Sequence, residues 1–280
     1  MDLGVSREGL ERMLHSLGQF SAGQTLEAVC LYSDIEGYTR LSETLTPSQT
    51  RDALNHYYQR FLPVVHQHGG FVADTVGDSI LCMWPANEGA AQACLHACEA
   101  ALELDRLFNP RPGQPRLEGT QPTRFGLHHG PVFLGAVGAR RHREIRAVGD
   151  LVNTTSRIQG ANKPLGTRII ASRAITELCS RYAGRPLGRF QMAGKSQPLD
   201  LVQVGVAAAP NPADVAYVRG LAAFQRGEAQ AAIDAYTEAL ALEHGASSPT
   251  AFMLAQAQAL LQSPPQGPVP WDGRVVLRDK

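Results

Sequence analysis

The 280-residue sequence predicts an α+β fold, an antiparallel sheet with helices packed on one face, followed by a small all-α extension. Three observations carry that expectation. Short apolar runs bounded by Gly, Pro and Asp alternate with longer amphipathic segments in the order βαββαβ. A Pro/Gly-rich stretch, NPRPGQPRLEGTQP, separates the first half of this pattern from the second. From Pro210 onward the composition turns Ala-rich and helical. The first pattern resembles the ferredoxin-like plan of strands and helices.

Residues 1–25 begin with a short amphipathic helix, with Leu10, Met13, Leu14 and Leu17 on one stripe. This segment carries acids and lacks the apolar core of a signal peptide. The run 28–33 (AVCLYS) suits a buried strand ending at Asp34. Thr46-Pro47-Ser48 starts a helix whose apolar face is Tyr57, Tyr58, Phe61 and Val65 and which closes at Gly69-Gly70. Residues 71–73 and 79–83 read as two strands joined through Asp74–Asp78, and residues 90–107 as a second amphipathic helix. Residues 124–137 return to strand. The following GARRHREIRAVGD is basic and too polar for core. Residues 151–161 read as helix, 167–171 as strand, 174–182 as helix, and 186–206 as two further strands.

Beyond residue 208, Tyr217, Gly220, Leu221, Phe224, Gly227, Ala232, Tyr236 and Ala239 follow the small/large alternation of a tetratricopeptide-like helical hairpin. A single such repeat cannot cover its own apolar face, so it is expected to pack on residues 26–207 or on a partner chain. The boundaries expected are therefore 1–25, 26–207 and 208–280.

Bulk properties exclude several functions. Lys and Arg number 26, and so do Asp and Glu, which disfavours a general nucleic-acid binder or a polybasic membrane clamp. No run of about 18 apolar residues could span a bilayer. The five cysteines have no zinc or redox spacing, and Cys94 and Cys98, one helical turn apart, read as core packing. Reduced thiols and a cytoplasmic location follow as expectations.

The chemistry gathers in three places. Asp34, at a strand end with Gly37 three residues on, suits a hard cation, and the glycine lets backbone N–H groups approach phosphate oxygens. Asp78 enters from the hairpin. If its strand pairs with that of Asp34, the two carboxylates converge and could share two divalent ions. Asn153 and Arg157, at i and i+4, share a helix face that could orient a sugar and meet charge on a phosphate.

Taken together, LYSDIEGYTRLSE, DTVGDSILCMW and AVGDLVNTTSRIQGANK resemble the three signature blocks of the class III nucleotidyl (adenylate/guanylate) cyclase catalytic domain, and GRFQMAGKSQPLDLVQV resembles its closing strands. PWDGRVVLRDK resembles the ending of bacterial members with a helical extension. The resemblance implies that Asp34, Asp78 and the carbonyl of Ile35 hold two Mg²⁺ or Mn²⁺ ions. It implies that residues 35–39, with Gly37, Tyr38 and Thr39, cradle the triphosphate of a nucleoside triphosphate. It also implies that Asn153 holds the ribose, that Arg157 stabilises the transition state, and that the site forms between the two chains of a homodimer. A protein activator would then dock on the helical extension.

The sequence departs from the family at the base. Where adenylate-making members carry Lys, this chain has Asp74. The partner position is Arg146 if the GD-x-VN block sets the register, and Ile145 if the loop is shifted by one. Asp74 only accepts hydrogen bonds and Arg146 only donates them, which suits guanine or a pyrimidine better than adenine. The alternatives are an adenylate-making or promiscuous enzyme in which the two residues hold each other, or a degenerate nucleotide-binding regulator. Ala193 stands where a phosphate-binding Lys is frequent. Lys195 is its neighbour, and Arg140 and Arg141 are other candidates for phosphate.

Overall fold

A computed structural model of the chain describes residues 23–110, 113–115, 120–139, 142–205, 211–243, 248–263 and 271–277. The expected N-terminal helix and Arg140 and Arg141 lie outside the described residues. Four strands make the centre of one sheet: β1 (Gln24–Ile35), β2 (Phe71–Val76), β3 (Ser79–Pro85) and β4 (Thr123–Ala139). Their order, β2-β3-β1-β4, is antiparallel throughout, as the βαββαβ pattern predicts.

Three helices make the two crossovers. Helix α1 (Tyr38–Thr44) is one short piece, and α2 (Pro47–Gln67) starts where the sequence marks it. Thr46 accepts from the Gln49 N–H and the Gln49 side chain reaches back to the Thr46 N–H, a complete capping box with Pro47 at the first helical position. Helix α3 (Ala90–Phe108) follows β3. On this face Val29 and Leu31 of β1 meet Tyr57 and Phe61 of α2 and Leu104 and Phe108 of α3.

Beyond β4 the sheet continues through β6 (Ile169–Ser172), β8 (Leu199–Val204) and β7 (Ala183–Met192). β6 joins β4 in parallel, so the sheet is mixed rather than purely antiparallel. The basic segment read as too polar for core supplies an extra strand, β5 (His142–Val148), paired antiparallel with the far end of β4. Alternation explains the miss: Ile145 and Ala147 meet the cluster around Leu81, Met83 and Leu134, while Arg146 and Val148 face out.

The expectation of helices on one face is corrected by α4 (Asp150–Leu165), which lies on the opposite face from α2, α3 and the short α5 (Arg173–Leu178). Gly126 makes this possible: a Cβ there would come 2.4 Å from the backbone nitrogen of Gln159. Asn162 then donates to the Phe125 carbonyl at 2.8 Å, tying helix to strand.

The C-terminal residues form α6 (Pro212–Gln225), α7 (Ala229–Leu242) and α8 (Pro249–Gln262). They pack on the rest of the chain, with Tyr217 and Tyr236 in one core with Ile158, Ala161 and Leu165 of α4. Arg185 of β7 binds Asp214 and Glu243 at 2.6 Å each and lies 4.7 Å over the Tyr217 ring, fastening these helices to the sheet. The extension is not all-α: β9 (Arg274–Leu277) adds a parallel edge strand beside β7. All five cysteines are buried and free. Among the described residues no helix is long and apolar enough to cross a membrane.

Candidate active site

The pairing of β1 with β3 sets Ser33 opposite Ile80, which brings the end of β1 beside the two-residue turn Gly77-Asp78. The Ile35 N–H donates to Asp78 Oδ2 at 3.1 Å, and Ser79 Oγ donates to Asp34 Oδ1 at 3.0 Å. The two aspartates thus converge as the spacing predicts. Burial, then the Asp34 charge, pushes the Asp78 carboxyl up to about 6. Tyr58 Oη donates to the Gly77 carbonyl at 2.6 Å and pins the turn to α2. Among the described residues no group of three or more His, Cys, Asp or Glu gathers for a metal. A divalent ion here would take two carboxylates, the Ile35 carbonyl and oxygens from substrate or water. Such a hard, oxygen-only set fits Mg²⁺ or Mn²⁺.

Gly37, at φ +76°, turns the chain from β1 into α1, which Tyr38 and Thr39 open. Glu36 fixes this exit through Arg124 at 2.6 Å and Arg168 at 3.1 Å. Neither arginine carries a sequence signal, because their meeting depends on β1, β4 and β6 becoming neighbours.

Asn153 and Arg157 lie on α4, Asn153 exposed and Arg157 partly buried. They line a groove of about 1140 Å³ that includes neither Asp34 nor Asp78. Nη2 of Arg157 sits 3.1 Å from where a Cβ of Gly194 would be, so the Gly at the β7–β8 turn leaves room for the guanidinium. Next to it, Lys195 Nζ binds Asp150 at 2.6 Å at the start of α4. Lys195, the residue after Gly194, is therefore held at the start of α4.

Asp74 and Arg146 are also brought together. A bulge between Val72 and Asp74 shifts the register of β2, and β5 folds over to place Arg146 Nη1 3.8 Å from Asp74 Oδ2. Both side chains are 40% or more exposed, so the pair is solvated and worth about 0–1 kcal/mol. Arg146 comes within ion-pair distance of Asp74, whereas Ile145 packs against the apolar cluster around Leu81 and Met83.

A mixed sheet in which Asp34 at the end of β1 meets Asp78 of the β2–β3 turn, with helices on both faces, has the form of a nucleotidyl cyclase catalytic domain. Residues 21–202 match the Adenylate and Guanylate cyclase catalytic domain, and the chain belongs to that family. It is 35% identical over 189 residues to Adenylate cyclase 1 of Rhizobium meliloti (strain 1021), covering 66% of this chain and 28% of that protein. It is 28% identical over 211 residues to the adenylate cyclase of Anabaena cylindrica, covering 71% of this chain and 40% of that one. The chain thus spans well under half the length of these curated relatives. Among solved structures, the guanylyl cyclase Cya2 superposes with a TM-score of 0.53 at 25% identity over 68% of this chain and 97% of that one.

Proposed function

We propose that the chain converts a nucleoside triphosphate to a 3′,5′-cyclic nucleotide and pyrophosphate, at a site completed by a second copy of itself. The observation that carries this reading is the convergence of Asp34 and Asp78, supported by a groove holding Asn153 and Arg157 that contains neither acid. Each half of the chemistry is present in one chain, and neither acid lines the groove of the Asn/Arg pair. A two-fold homodimer brings the acids of one protomer to the Asn/Arg pair of its partner and makes two equivalent sites.

Asp34, Asp78 and the Ile35 carbonyl would hold two divalent ions, which supply charge neutralisation at the triphosphate and activation of the 3′-hydroxyl. Asn153 orients the ribose so that the 3′-oxygen faces the α-phosphorus. As the new O–P bond forms, the bond to the β-phosphate oxygen breaks and pyrophosphate leaves with the electron pair. The 3′-hydroxyl proton passes to water. Arg157, given room by Gly194, meets the charge that grows on the phosphate oxygens. Gly37, Tyr38 and Thr39 form the turn on which the triphosphate rests.

Asp74 and Arg146 read the base as acceptor and donor, which favours GTP, UTP or CTP over ATP. Their mutual pair is weak enough to open to a base edge. The test is incubation with Mn²⁺ and equal ATP, GTP, UTP and CTP, with cyclic products identified by mass spectrometry. A non-adenine product lost in Asp74→Lys supports the base reading. Cyclic AMP as the main product refutes it and leaves the two residues holding each other. An Asp34→Ala variant with unchanged product formation refutes the cyclase reading itself.

A further inference from the structure

The groove beside Asn153 and Arg157 is lined from three places: α4, which also brings Lys163, the end of β7 at Met192 and Ala193, and the C-terminal residues Phe252 and Gln256 of α8 with Val276 and Leu277 of β9. Helix α8 is held there by the core that Met253 and Ala257 share with Ile158 and Ala161, and β9 by its pairing of Val276 with Gln191. The extension is thus built into the rim of the candidate active site. Three of its four lining residues are apolar, and Gln256 alone offers a hydrogen-bonding side chain.

We propose that Gln256 is a substrate-binding residue that closes the groove over the phosphate chain of the nucleotide. The inference rests on Asn153 and Arg157 acting as proposed above. A phosphate chain drawn to Arg157 turns its remaining oxygens toward the facing wall, and a carboxamide N–H there is their natural donor. At about 1140 Å³ the groove is larger than the ~300–1,000 Å³ usual for small-molecule sites. The C-terminal unit then contributes to turnover directly, and its loss would lower activity even in a folded catalytic sheet.

The full-length chain would be compared with Gln256→Leu, which keeps the volume and removes the donor, and Gln256→Trp, which fills the groove. Catalysis is read as kcat and KM separately. Binding is read by calorimetry with a 3′-deoxynucleoside triphosphate, which cannot cyclise. We expect binding weakened roughly tenfold to a hundredfold in Gln256→Leu and more in Gln256→Trp, with melting temperatures unchanged, the size of one lost hydrogen bond to a charged group. Binding and kcat/KM within twofold of the parent in both variants would overturn the proposal. Asn153→Ala, run alongside, separates the two readings: if it alone loses activity, the Gln256 role fails and the site stands; if it too is fully active, the site reading fails first.

Discussion

Replacing Asp78 with Asn separates what the paired acids cost from what they do. In the folded chain the Asp78 carboxyl is raised from 3.8 to about 6 by burial and by Asp34. A raised carboxyl pKa destabilises the fold above that value, and the cost disappears as pH falls below the unfolded value near 4. At about 1.4 kcal/mol per unit, discounted for its partial exposure, the cost at pH 7.5 is about 1–2 kcal/mol. Asn is nearly isosteric and its carbonyl still accepts from the Ile35 N–H. Asp78→Asn in EDTA should therefore melt about 3–6 °C above the parent. The gap should close as the pH is taken down to 4. With Mn²⁺ the order should reverse, because only the parent gains binding energy, and cyclic nucleotide should appear only with the parent. Scanning calorimetry across pH 4–8, with and without Mn²⁺, reads all of this. A variant no more stable than the parent in EDTA, or one stabilised equally by Mn²⁺, would refute the argument.

Other perturbations follow from the same geometry. His128, bonded to Ser172 at 2.7 Å, is pushed down to about 4 by burial and by the neighbouring His129 and Lys195. Its depressed pKa means stability is lost as pH falls from 6.5 toward 4, by at most about 3 kcal/mol, and His128→Gln should flatten that acid limb in a plot of melting temperature against pH. Arg185→Met leaves Asp214 and Glu243 without their cation and should cost about 2–4 kcal/mol in urea unfolding. Gly126→Ala drives a methyl into the α4 backbone and should cost 3 kcal/mol or more, or leave the protein insoluble on expression.

Much of the candidate site can be picked out from the sequence because its parts are local. Asp34 and Gly37, Asp78 and its turn, and Asn153 with Arg157 each sit within one short element, where strand ends, turn residues and helical spacing announce themselves. The cap at Thr46 and the order βαββαβ were equally readable, since periodicity and capping are properties of consecutive residues. What sequence reasoning missed depended on distant segments meeting. Strand β5 reads as polar because charged residues crowd its sequence, HREIRAV, and only its pairing with β4 turns Ile145 and Ala147 toward the apolar cluster. The side of the sheet taken by α4 was decided by the close approach that Gly126 permits. The Glu36 clamp and the Asp150–Lys195 pair join residues 45 or more positions apart. So does the wall of α8 and β9 around Arg157, which no local pattern encodes. Short-range chemistry was fixed residue by residue along the chain, whereas which faces and walls surround it was decided by packing, because burial rewards only the contacts that the whole fold brings together.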